Sequence, residues 1–155
     1  MKTPILLGFT LAMASLAGGH AWAQAVPPTK VEAVLTPASA DSAFPQLLAD
    51  GRGGVYMTWL ETLKDAAGHR LRLAHRKEGG VWTEPTTVHE GKTFWRNWAD
   101  FPGLGIFPDG SVMTHWLARS GEGTYDYNIN ARISRDAGKT WGEPFLVNTD
   151  GTQAE

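Results

Sequence analysis

Tyr125-Asp126-Tyr127-Asn128-Ile129-Asn130-Ala131-Arg132-Ile133-Ser134-Arg135-Asp136-Ala137-Gly138-Lys139-Thr140-Trp141 carries two signals in succession. From Tyr125 to Ser134, Tyr125, Tyr127, Ile129, Ala131 and Ile133 alternate with Asp126, Asn128, Asn130, Arg132 and Ser134. A period of two belongs to a strand with one apolar and one polar face. The residues that follow read as a tight turn. Asp136 can accept hydrogen bonds from the backbone N–H groups of its own turn, Gly138 supplies a permissive backbone, and Trp141 folds back to pack under the hairpin.

Working outward, the chain repeats itself. Phe44-Pro45 recurs as Phe101-Pro102, Leu47 as Leu104, Val55 as Val112 and Trp59-Leu60 as Trp116-Leu117, all at an offset of 57. Trp82-Thr83-Glu84-Pro85 recurs as Trp141-Gly142-Glu143-Pro144 at an offset of 59, so two residues are gained in a loop. Each copy is expected to hold four short strands, in the second copy over Phe101–Phe107, Ser111–Ala118, Tyr125–Ser134 and Glu143–Val147. Pro108-Asp109-Gly110 supplies a preset φ and then tolerance of positive φ between the first two of these, and Gly121-Glu122-Gly123 is expected to do the same between the next two. A four-stranded antiparallel unit repeated in tandem matches the blade of a β-propeller. The fold class expected is therefore all-β: a partial propeller of about two four-stranded antiparallel blades, belonging to a six-bladed ring of roughly 340 residues. Two blades alone leave large apolar faces in water, so the chain is expected to be the N-terminal part of a longer protein.

Ser134-Arg135-Asp136-Ala137-Gly138-Lys139-Thr140-Trp141 fits S-x-D-x-G-x-x-W at every specified position and resembles the Asp-box, or BNR repeat, of the sialidase superfamily. The first copy has a degenerate form, His75-Arg76-Lys77-Glu78-Gly79-Gly80-Val81-Trp82, with Lys77 at the aspartate position. The resemblance implies a structural role for Ser134, Asp136, Gly138 and Trp141, because the box lies on the blade periphery and accompanies unrelated activities. It also implies an arginine that binds a substrate carboxylate, an aspartate acid/base and a later Tyr/Glu nucleophile pair. The arginine position falls on Ala43, beside Phe44 and Pro45, so the first arginine is absent. By position the acid/base falls on Asp65, which also reads as a solvated turn residue in Lys64-Asp65-Ala66-Ala67-Gly68.

A second constellation, Phe94-Trp95-Arg96-Asn97-Trp98-Ala99-Asp100, occupies the link between the two copies. Such links open onto the ligand face of a propeller. Asp100 aligns with Ala43 and is expected at the head of an inner strand as a second catalytic candidate. Trp95 and Trp98 can stack on sugar faces or wedge between blades, while Arg96, Asn97 and Asp100 offer oriented polar groups for a ligand, Arg96 and Asp100 reading equally well as an inter-blade ion pair.

Composition narrows the alternatives. The chain has 155 residues, a net charge of −2 from 14 cationic and 16 acidic side chains, and no cysteine. That excludes a disulfide scaffold, a thiolate metal site and a cysteine nucleophile. Charges are scattered without a basic run, so neither nucleic acid nor an anionic membrane surface is an expected partner. His69, His75, His89 and His115 share no ligand spacing, and Asp126, Asn128 and Asn130 on a strand cannot wrap one calcium ion, so neither metal nor cofactor is expected.

Met1-Lys2-Thr3, the apolar run Pro4–Leu16 and Ala17-Gly18-Gly19-His20-Ala21-Trp22-Ala23 read as a secretory signal peptide cleaved after Ala23, with Ala25 as second choice. The expected layout is residues 1–23 signal, 24–42 an N-terminal segment in which Lys30–Leu35 forms a ring-closing strand, 43–99 the first blade, and 100–155 a truncated second blade. The protein is expected to be secreted or periplasmic, free of the membrane after cleavage, and to bind a glycan or other extracellular ligand. Two function classes stand. One is sialidase-type exo-glycoside hydrolysis in the full-length ring, the two-blade piece alone being inactive. The other is a non-catalytic propeller binding a glycan, peptide or partner protein, favoured by Ala43. Either needs the remaining blades for closure.

Overall fold

The computed structural model describes residues 30–64 and 67–148. Residues 1–23, where a signal peptide is expected, and Asp65 lie outside the described residues. The chain divides into a short unit, residues 1–33, and a second, Val34–Glu155. Lys30–Leu35 pairs with no strand here. Among the described residues there is no helix, and none long and apolar enough to cross a membrane.

Within the second unit the strands are β1 (Ser42–Ala49), β2 (Val55–Thr62), β3 (His69–Arg76), β4 (Thr86–Gly91), β5 (Gly103–Ile106), β6 (Val112–Arg119), β7 (Tyr127–Ser134) and β8 (Phe145–Leu146). They form two antiparallel four-stranded sheets, ordered β1-β2-β3-β4 and β5-β6-β7-β8. In the second sheet β6 has its expected length, displaced by one residue, while β5, β7 and β8 are shorter than the spans expected for them. Tyr125 and Asp126 belong to the turn, where the Asp126 carboxylate accepts a hydrogen bond from Gly123 N at 2.8 Å. Gly121 and Gly123 do not adopt positive φ. They are small because a Cβ on either would fall 2.3 or 2.9 Å from the Asp126 carboxylate. Gly110 does turn with φ +83°, and Asp109 Oδ1 caps that turn by accepting from Ser111 N at 2.9 Å.

The ladder registers make the repeat exact in number. Gln46↔Thr58 to Ala49↔Val55 becomes Gly103↔His115 to Ile106↔Val112, every residue shifted by 57. Val55↔Arg76 becomes Val112↔Ser134, a shift of 134 − 76 = 58 for the third strand. Leu73↔Thr86 becomes Ala131↔Phe145, a shift of 145 − 86 = 59 for the fourth. The two extra residues thus enter one apiece in two turns, not together in one loop. The second falls inside the box, so the ladder places Glu78, not Lys77, level with Asp136.

The sheets pack face to face. Tyr56, Leu60, Leu71, Leu73 and Val88 of the first share one buried cluster with Val112 and Trp116 of the second and with Phe94. Trp116 stacks on His89 with ring centroids 4.5 Å apart, and Arg132 Nη1 donates to Val88 O at 2.6 Å. The opposite face of the first sheet holds Met57, Trp59 and Ala74 under Ala38 and Trp82. The opposite face of the second holds Met113, His115, Leu117, Ile129, Ala131 and Ile133, which by the shifts of 57 and 58 are the counterparts of Tyr56, Thr58, Leu60, Leu71, Leu73 and His75. In the first sheet that face covers a neighbour. In the second, no further sheet lies over it among the described residues.

Residues 134–141 close the β7–β8 hairpin. Asp136 Oδ1 accepts from Ser134 Oγ and Thr140 N, both at 2.8 Å, and Oδ2 from Thr140 Oγ1 at 2.6 Å. Ser134 Oγ in turn accepts from Gly138 N at 2.7 Å. Ala137 and Gly138 carry φ of 60° and 88°, and Trp141 packs against the shared core. The Thr140 hydroxyl, then its amide and the Ser134 hydroxyl, pull the Asp136 pKa down from 3.8 to about 2. A carboxylate held lower in the folded chain stabilises it above the unfolded value and loses that contribution as pH falls through the folded value. Asp136→Asn is therefore expected to be less stable than the parent at neutral pH and to show a shallower loss between pH 3.8 and about 2. Denaturant midpoints across that range check this; parallel curves for the two proteins would contradict it.

Candidate functional site

The link from β4 to β5 interrupts the β5 edge of the second sheet. Thr93 and Trp95 still hydrogen-bond to the end of β6, Trp95 N donating to Leu117 O at 2.8 Å and Arg119 N to Thr93 O at 2.7 Å. Arg96–Pro102 then loops out before β5 resumes the ladder at Gly103. In the first sheet Ala43 sits opposite Leu60. Its counterpart opposite Leu117 is Trp95, so Asp100 does not occupy the strand head that the offset of 57 assigned to it. An offset counts residues, and here the two residues of the strand head, Phe94 and Trp95, pair upstream of an inserted loop.

The loop is organised by Asn97. Its Oδ1 accepts from Ala99 N at 2.6 Å and Asp100 N at 2.8 Å, while its Nδ2 donates to Asp100 Oδ2 at 2.6 Å. This is an Asx turn closed by a second contact, a rigid way to present a short exposed segment. Trp98 projects from it 90% exposed. Trp98 is therefore not wedged between the sheets. Trp95 behaves differently: Arg119 Cζ lies 4.4 Å from its ring centroid and Tyr127 packs at 5.6 Å. Its ring already has protein neighbours, which leaves Trp98 as the free aromatic platform.

Arg96 turns back toward the first sheet. Its guanidinium stands 5.4 Å over the Phe44 ring, and Nη1 donates to His69 Nε2. Burial, then the Arg96 charge, lowers the His69 pKa, which keeps the imidazole a neutral acceptor for that bond. Phe44 itself has φ +56°, at the bulge between Ala43 and Gln46. A non-glycine residue in the left-handed region costs about 1–2 kcal/mol and persists only where its surroundings enforce it. Here those surroundings are Pro45, the core beneath the ring and the guanidinium above it.

The site so built comprises an exposed indole, a cation fixed between Phe44 and His69, and the locked Asn97–Asp100 pair. Asp65 lies outside the described residues and is not placed. Residue reading missed Phe44 and His69; the only available signal was that the strand heads of one copy must meet the link to the next. Among the described residues no three His, Asp or Glu converge as a metal site. No protein-family model matches the chain, and no curated protein matches it.

Proposed function

We propose that the two sheets are consecutive blades of an Asp-box β-propeller, and that the protein is exported and glycan-directed, holding an acidic sugar at the Arg96–Pro102 loop. Full-length, it performs sialidase-type exo-hydrolysis. The observation that carries the glycan reading is that one short loop holds both a 90% exposed Trp98 and, two residues before it, a guanidinium held in place by neighbours from the other sheet. An indole face covers the apolar face of a pyranose, and a fixed guanidinium takes a carboxylate by charge-assisted bonds. The blade reading is supported by the registers shifted by 57, 58 and 59 and by the uncovered face of the second sheet, which matches the face that covers it.

A second reading keeps the ligand and drops the chemistry. Asp100 is tied to Asn97, Ala43 leaves the first inner strand without its arginine, and such a propeller binds acidic glycans without turnover.

Titration with 3′-sialyllactose against lactose, followed by the Trp98 indole NMR signal, tests the site. Sialyllactose is expected to shift it saturably while lactose does not, and Arg96→Ala is expected to weaken binding about tenfold, the loss of one hydrogen bond to a charged group. No saturable shift, or equal shifts with both sugars, would overturn the proposal. Release of sialic acid by the intact ring separates the hydrolase from the binder.

A further inference from the structure

The opposite end of the sheets holds a second feature, where the β1–β2 and β3–β4 turns of the first sheet face the β5–β6 turn and box of the second. A cavity of about 950 Å³ opens there. Tyr56, Leu73 and Ile106 supply its apolar side. Above them His75 stacks on Tyr56, centroids 4.0 Å apart and rings 16° from parallel, and His75 Nε2 pairs with Asp50 Oδ2 at 2.9 Å. Side chains of this pair are only 15% and 12% exposed.

Asp50 is fully engaged. Its Oδ1 accepts from Arg52 N and Gly54 N, both at 2.8 Å, and these bonds together with His75 hold its carboxyl below the ordinary range. The contact with Asp50 and the stack on Tyr56 give the imidazole one fixed orientation. Burial raises the Tyr56 pKa, so its phenol is neutral. With Asp50 so consumed, the charges left at the mouth are Arg52, Lys77 and Lys139 against Glu84. All three cations are exposed, and none of their side chains is in an ion pair among the described residues. The two lysines come from opposite sides of the seam, Lys77 from the β3–β4 turn and Lys139 from the box.

We propose that this cavity is a binding site for a small organic anion with an apolar ring, its body against Tyr56, Leu73 and Ile106 and its charge between Lys77 and Lys139. An apolar floor with a few convergent polar groups is the usual build of a small-molecule site, and a predominance of cations selects an anion. Asp-box residues thereby acquire a second role, since Gly138 and Lys139 belong to the wall. The site is independent of the Arg96 loop, which lies at the other end of the strands, so either can fail without the other.

Naphthalene-2-carboxylate and its neutral carboxamide serve as probes on the full chain, read by the His75 ring and Ile106 methyl NMR signals. The carboxylate is expected to shift both saturably, with the carboxamide at least about fivefold weaker. Lys77→Gln with Lys139→Gln is expected to weaken the carboxylate about tenfold and leave the carboxamide unchanged. Equal affinity for the two probes, absence of shifts at His75, or a double variant that binds the carboxylate like the parent would overturn the proposal. The acid–amide comparison on the unaltered chain stands even if the double variant folds poorly.

Discussion

Trp116→Ala is expected to lower the unfolding free energy by about 3–5 kcal/mol, the cost of removing a large aromatic side chain from a packed core. Trp116 is 2% exposed and belongs to the cluster that both sheets share. Its ring stacks on His89 at 4.5 Å and meets Phe94 at 6.0 Å, so the cavity left behind opens at the seam between the sheets. Natural domains are stable by about 5–15 kcal/mol, and such a loss is a large fraction of that. His89 gives an internal check. Burial, then Arg132, lowers its pKa, and removing the indole lets water in, so the His89 pKa should rise toward 6.5. Urea unfolding with an NMR titration of His89 measures both; a loss under about 1 kcal/mol would mean that the sheets do not pack through this ring.

Gly138→Ala is expected to cost about 2–5 kcal/mol from two separable causes. Its φ of 88° costs a side chain about 1–2 kcal/mol. The added Cβ would also lie 2.4 Å from Leu73 Cδ2 in the other sheet, and overpacking of that kind costs about 1–3 kcal/mol. Leu73 is 2% exposed and belongs to the cluster that both sheets share, so its displacement disturbs their packing. The methyl would press on a junction where Thr86 Oγ1 donates to Gly138 O at 2.7 Å. Thermal unfolding of the variant should move down by several degrees; an unchanged midpoint would contradict the φ argument as well as the contact.

Much of this fold is legible in the chain. The alternation from Tyr127 to Ser134 is β7, and the offset of 57 carries β1 and β2 onto β5 and β6 because strand pairing keeps a fixed residue count wherever the ladder is continuous. The turn of residues 134–141 is held by local bonds, between residues two to four apart, which is the range a short stretch of sequence can specify. Legibility ends where the count is broken by compensation. Phe94 and Trp95 replaced the first residues of the edge strand that continues as β5 and a loop took up the difference, which left Asp100 in that loop instead of at a strand head. Phe44 at positive φ contradicts its own propensity, since the burial and the Arg96 cation that sustain it are tertiary. The His75–Asp50 pair joins residues 25 apart in the chain, and a search for metal-ligand spacing passes over a histidine whose partner is one carboxylate.

Face-to-face packing of the two sheets underlies the blade reading, the seam cavity and both substitutions above. A double-mutant cycle of Gly138→Ala with Leu73→Ala tests it most directly. In the Leu73→Ala background the collision partner is gone, so the penalty of Gly138→Ala should fall to the backbone share of about 1–2 kcal/mol. The same penalty in both backgrounds, with a coupling under about 0.5 kcal/mol, would mean that Leu73 and Gly138 do not touch and that the sheets are not packed as neighbouring blades.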